Sequence, residues 1–161
     1  MLKPVLVFGY GNLSRGDDAL GPLLLDYIEC NAKHVLHAVE ILDDFQLQIE
    51  HALDLENRAL VLFVDASVSC QHAFDFTELE PARDNSYTTH AMSPAAVLAV
   101  YQSIKKQTPP PCFLLSIKGE QFELGENLTV NAEQHLAQAG RFAEQLLSHP
   151  DLTTWRQQAN S

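Results

Sequence analysis

Apolar and polar positions alternate along the chain in two rhythms, one of strands and one of helices. Residues 5–8 (VLVF) form an unbroken apolar run, the pattern of a parallel strand buried on both faces. Leu20, Leu23, Leu24 and Ile28 then recur at helical spacing and predict a helix with one buried stripe. Asp17 stands just before it, in position to cap it. Segment 34–42 (HVLHAVEIL) predicts a second strand and 45–55 (FQLQIEHALDL) a second helix. In 58–67 (RALVLFVDAS), residues 59–64 are all apolar, which predicts a central strand with Asp65 at its end. Segment 73–79 alternates in the manner of an edge strand. Ser93 followed by Pro94 opens a predicted helix over 93–106. A proline-rich loop, 108–112, leads into a strand at 112–117, and an amphipathic helix over 131–147 closes the pattern.

Alternating strand and helix signals at this spacing predict a three-layer α/β/α sandwich around a mostly parallel twisted sheet, with one antiparallel edge strand. Residues 1–150 read as a single domain, and the polar stretch 151–161 reads as a tail that is a candidate for disorder. In the order 2-1-3-4-5, the first and third strands would be neighbours. The crevice at their carboxyl ends would then be the expected ligand site.

Composition narrows the partners. Of 161 residues, 46 % are hydrophobic and 19 % charged, and 21 acids against 10 Lys and Arg give a formal net charge of −11. Without a basic cluster, binding to nucleic acid or to an anionic membrane is not expected. No apolar run approaches the roughly 18 residues of a membrane span. The start of the chain lacks the basic, apolar and small-residue regions of a leader. Cys30, Cys70 and Cys112 are widely spaced and odd in number, which argues against a disulfide scaffold or a thiolate zinc knot. The expectation is a soluble, cytoplasmic protein acting as a monomer.

Candidate chemistry begins in the first turn. Residues 5–22 (VLVFGYGNLSRGDDALGP) open like a dinucleotide-binding loop, but Ser14 replaces the third glycine and Asp17-Asp18 follow. Two acids at its mouth would repel a pyrophosphate. Asp18 after the first strand and Asp65 at the end of the third would meet in the crevice, and a cation between them would relieve their repulsion. His90, in a polar loop before a helix, is the third candidate ligand, and the N/O donor set suits Zn²⁺, Ni²⁺ or Fe²⁺. Each residue also has a plainer reading: Asp17 as a cap, Asp18 as complement to a helix dipole, Asp65 as a turn former, His90 as solvated surface. The remaining histidines lack zincin spacing, and G-x-S-x-G is missing. A Cys70–His90 thiol enzyme, a nucleotide-binding module and a non-catalytic metal-binding accessory module stay open as alternatives.

Four segments together resemble the hydrogenase maturation endopeptidases, which trim the C-terminal extension from the large-subunit precursor of a nickel–iron hydrogenase. GYGNLSRGDDALGP carries the family's glycine, asparagine and acid block at Gly9, Gly11, Asn12, Asp17, Asp18 and Gly21. LFVDAS matches its second acidic strand end at Asp65, and HAMSPAAVLA its histidine-then-helix block at His90. LLSIKGEQFELGENLT, 114–129, is similar to its late strand and loop. The resemblance spans residues 3–148. It implies a protease whose Asp18, Asp65 and His90 bind the nickel carried by the substrate and serve the cleavage. Zinc or cadmium would be able to occupy the same site in vitro. Asp17 is a candidate general base.

One segment departs from the pattern. Many relatives carry Asp-Gly-Gly-Thr after the second strand, whereas this chain has DDFQLQIEHAL from Asp43. In the family this region is implicated in choosing the substrate, so Asp43, Asp44, Phe45 and Gln46 are candidate substrate-binding residues and the cognate hydrogenase is expected to be of a different type.

Overall fold

The computed structural model describes residues 2–83 and 92–161. Among the described residues, five strands form one sheet: β1 (Val5–Tyr10), β2 (Val39–Asp44), β3 (Leu60–Ser67), β4 (Phe74–Glu78) and β5 (Cys112–Lys118), and four α-helices flank it: α1 (Leu20–Asn31), α2 (Pro94–Lys105), α3 (Val130–Ser148) and α4 (Leu152–Ala159). The strand order is β2-β1-β3-β5-β4. All neighbours run parallel except β4, which lies antiparallel against β5 at the edge.

The neighbouring of β1 and β3 agrees with the sequence expectation, but the last two strands exchange places relative to the order 2-1-3-4-5. Residues 68–73 are too few for the helical crossover of a dozen or more residues that a parallel neighbour requires. The chain therefore returns antiparallel as β4, and β5 takes the place beside β3.

Strand periodicity divides the core in two. Val5, Val7, Leu62 and Val64 face a layer containing Leu24 and Ile28 of α1 and Ala139 and Ala143 of α3. Leu6, Phe8, Val61 and Phe63 face Val97, Leu98 and Tyr101 of α2 together with Ala52 and Leu55. Successive residues of a strand point to opposite faces, so a run apolar at every position requires cover on both sides.

Three local expectations change. The second helix is a 3-10 helix, Ile49–Leu55, opened by a reciprocal cap between Gln48 and His51. The second strand begins at Val39, after a 3-10 turn at Lys33–Val35. The tail 151–161, a candidate for disorder, instead holds α4, capped by the Asp151 carboxylate, which accepts from Thr154 N. Its Trp155 is fully buried, donates from Nε1 to Leu146 O at 2.9 Å, and meets Phe113 edge-on. One large aromatic suffices to dock a short polar helix.

Candidate active site at the carboxyl edge of the sheet

The turn after β1 brings the backbone of α1 against the ends of β1 and β3. A Cβ on Gly21 would lie 2.5 Å from the Tyr10 carbonyl oxygen and 2.9 Å from that of Val64, so only glycine permits this approach. Asn12 shapes the loop, its Oδ1 accepting from Ser14 N at 2.8 Å. The Asn12 backbone N–H donates to Asp18 Oδ2, also at 2.8 Å. In a nucleotide-binding loop such an amide would face a phosphate; here the chain's own carboxylate takes it. This geometry disfavours the nucleotide reading.

Asp65 lies across the crevice. Gly9 of β1 pairs with Val64 of β3, which places Tyr10 and Asp65 side by side one position further on. The Tyr10 hydroxyl donates to Asp65 Oδ2 at 2.9 Å. Asp65 Oδ1 is buried and has no hydrogen-bond partner among the described residues. Burial, the largest cause, together with the nearby Asp18 charge raises the Asp65 carboxyl to about 6, against the lowering effect of the Tyr10 and Ser116 hydroxyls. Burial, then the Asp65 charge, holds the Tyr10 phenol well above its ordinary range, so it stays a donor. The Asp18 charge thus reaches Asp65. An orphaned carboxylate oxygen beside a second carboxylate is the donor chemistry of a cation site.

Asp17 has a different fate from its neighbour. It neither caps α1, whose N-cap is Ala19, nor faces the crevice as a free base. It is fully buried and accepts four hydrogen bonds: from Glu120 N at 2.9 Å, Gln121 N at 3.2 Å, Thr129 N at 2.8 Å and Thr129 Oγ1 at 2.9 Å. Burial alone would raise its pKa; these bonds outweigh burial and hold the carboxyl below its usual range. Asp17 therefore ties the loop between β5 and α3 to the first turn. Gly16 assists: at φ +57 it donates to Glu126 O at 3.0 Å. Both the cap and the general-base expectations for Asp17 give way to this role.

His90 lies outside the described residues. Its described neighbour Met92 donates from N to Leu47 O at 3.4 Å, beside the loop that follows β2. Asp43, at the end of β2, is exposed, and in that loop Gln46 is exposed and Phe45 is 71 % exposed. Asp44 is engaged internally, Oδ1 accepting from Phe45 N at 2.7 Å and Oδ2 pairing with His51 Nε2 at 3.2 Å. Leu13, Val68 and Leu124 are also exposed and follow β1, β3 and β5, so apolar side chains stand in the loop after each parallel strand.

The thiol alternative weakens. Cys70 is buried, donates from Sγ to Ser116 O at 3.4 Å, and has its pKa raised by burial and by the Asp75 and Asp65 charges, the reverse of an activated nucleophile. Burial likewise raises Cys112. Two residues absent from the sequence-derived site matter in the structure. Tyr10 was signalled only by its place between two glycines, and Thr129 carries no local signal, its partner being 112 residues away.

An open parallel sheet with acids converging at its carboxyl edge defines a broad class of α/β proteins, and the comparisons narrow the fold within it. No protein-family model matches the sequence, and neither does any curated protein. Among solved structures, the chain has the fold of the hydrogenase maturation endopeptidases. It is similar to the hydrogenase maturating endopeptidase HybD from E. coli, with a TM-score of 0.69 and 24 % identity over 92 % of this chain and 94 % of that one. It is also similar to the NiFe hydrogenase maturation protease HycI from Thermococcus kodakarensis KOD1, with a TM-score of 0.65 and 20 % identity over 91 % and 94 % of the two chains. The hydrogenase 2 maturation peptidase from Thaumarchaeota archaeon SCGC_AB-539-E09 matches with a TM-score of 0.62 and 22 % identity, over 90 % and 98 %. No helix among the described residues is long and apolar enough to cross a membrane.

Proposed function

We propose that this protein is an endopeptidase that removes the C-terminal extension from a nickel-loaded hydrogenase large-subunit precursor. The observation that carries the reading is the buried, unpartnered Asp65 Oδ1 at the carboxyl edge of the sheet, close enough to Asp18 to sense its charge. Asp18 and Asp65 offer hard oxygen donors to the metal in the substrate, and His90 is assigned as the third ligand. The nickel belongs to the substrate and supplies Lewis-acid polarisation of a carbonyl or activation of water. With Asp17 sealed by four hydrogen bonds, no role as base falls to it. Zinc or cadmium would fill the same donor set in a metal-soaked protein.

The exposed apolar residues around the crevice support a protein as substrate rather than a small molecule. Phe45, Leu13, Val68 and Leu124 present surface that a folded partner would cover. The segment 43–46, running from the end of β2 into the loop that carries exposed Phe45, is proposed to select the partner. Asp43 and Gln46 are its exposed polar members, and Asp44 holds the loop in shape through His51.

Intact-mass analysis of the precursor, with and without nickel, tests this. The expected result is loss of a C-terminal peptide from the loaded precursor only, and loss of cleavage by at least a thousandfold in Asp65→Ala and His90→Ala. Cleavage irrespective of nickel retires the metal-recognition part and keeps the protease. An intact, verified nickel-loaded cognate precursor after incubation retires the protease.

A further inference from the structure

We propose that Tyr10 is a positioning residue, whose hydroxyl engages Asp65 Oδ2 so that Asp65 presents Oδ1 alone to a cation in the crevice. This rests on the assignment of Asp65 as a ligand to the substrate's metal. It adds a residue that the four motif segments assign no role, and one that a tight turn between two glycines does not itself require.

Tyr10 closes β1 and Asp65 stands beside it in β3, so the bond of 2.9 Å runs from one strand to the next, not within a flexible loop. The ring is fixed at both ends. Its backbone pairs with Asp44 of β2, and its face meets Phe8 edge-on with centroids 6.4 Å apart. Packing of this kind would be served equally by phenylalanine. The hydroxyl has one partner among the described residues, and that partner is Asp65.

The consequence is geometric. A carboxylate rotates broadly about its last torsion, and a free one can chelate a cation through both oxygens. Donation to Oδ2 restrains the carboxyl plane and takes one lone pair of that oxygen, leaving the buried Oδ1, without a hydrogen bond among the described residues, as the acceptor most open to a cation. One-oxygen ligation suits a compact transition-metal ion; two-oxygen ligation is characteristic of larger cations such as calcium. Partners that orient a metal ligand in this way typically alter affinity or activity by roughly 10- to 100-fold when removed.

Tyr10→Phe tests the proposal, because it keeps the ring and removes the hydroxyl. Steady-state cleavage of the nickel-loaded precursor should show kcat reduced by about 10- to 100-fold with KM within about twofold. The melting temperature should stay near that of the wild type. A purely packing role, which phenylalanine serves equally, would leave both the melting temperature and the kcat of the folded enzyme unchanged, and that unchanged kcat overturns the proposal. Asp65→Ala in the same assay separates the two levels. If Asp65→Ala is inactive while Tyr10→Phe retains full kcat, Tyr10 loses its role and the site stands. If Asp65→Ala cleaves like the wild type, or the wild type leaves the loaded precursor intact, the assignment of Asp65 fails and the Tyr10 proposal fails with it.

Discussion

Asp17 is a fully buried carboxylate and Asp65 a half-buried one with a single enclosed oxygen near the same crevice, and the protein treats them in opposite ways. Asp17 receives four hydrogen bonds, three of them from backbone amides of the loop after β5 or the start of α3. Asp65 receives one from Tyr10, and its second oxygen is left bare among the described residues. The bonds hold Asp17 below the usual carboxylate range against the opposing effect of burial, whereas burial drives Asp65 up to about 6. A fully satisfied buried acid is part of the framework. A half-satisfied one has an oxygen free to accept a donor or a cation.

The comparison breaks most clearly through Asp17. Its replacement by alanine leaves three amides and a hydroxyl without their acceptor, at a cost of about 4 kcal/mol in folding stability. Urea denaturation should record that loss. Cleavage by the protein that remains folded at low temperature should stay within about threefold of the wild type, because Asp17 contributes shape rather than chemistry. An Asp17→Ala protein of unchanged stability that has lost its activity would reverse the assignment.

Protonation separates the two acids by sign. The Asp65 pKa is raised from 3.8 in the unfolded chain to about 6 in the folded one, so the native state holds this proton more tightly. Its contribution to stability is fully present below about pH 4 and is lost as pH rises through about 6. In metal-free protein, Asp65→Asn lacks this ionisation. Its stability relative to the wild type should therefore climb by on the order of 2–3 kcal/mol between pH 4 and pH 8. Asp17, with its pKa lowered, contributes stability above the unfolded value of 3.8 that is lost as pH falls through the folded one. Asp17→Asn should accordingly narrow its deficit to the wild type as pH drops below about 4. Thermal melts of both variants across pH 3–8 would detect parallel slopes, which the contrast forbids.

The positions of both acids were legible in the sequence, but their division of labour was not. The apolar runs of β1 and β3 identify buried parallel strands, and their neighbouring places Asp65 beside the end of β1. Which member of the Asp17-Asp18 pair would be sealed depends on Thr129 and on amides of a loop more than a hundred residues away, and no local pattern encodes that. Tyr10 presented itself as a residue of a glycine turn; its partner appears only once β1 and β3 are in register. The same limit explains α4, where polar composition suggested disorder and the burial of Trp155 against Phe113 decided otherwise. His90 lies outside the described residues, so its place in the trio rests on the resemblance and on its sequence position.

The smallest expected effect concerns the rim rather than the acids. Phe45 is 71 % exposed in the loop after β2, at the carboxyl edge, whereas the comparably apolar Ile104 is 52 % exposed near the end of α2. That end of α2 feeds the start of β5 and so belongs to the opposite edge of the sheet. A partner approaching the crevice would cover Phe45 and leave Ile104 in water. Truncating a single aromatic anchor at an interface costs on the order of 1–2 kcal/mol. Phe45→Ala should therefore raise KM for the loaded precursor by roughly tenfold with little change in kcat. Ile104→Ala should leave both constants alone. Equal effects from the two substitutions would mean that the precursor does not dock across the loop after β2. The apolar rim would then be surface without a role in recognition, and the acids alone would have to account for selectivity.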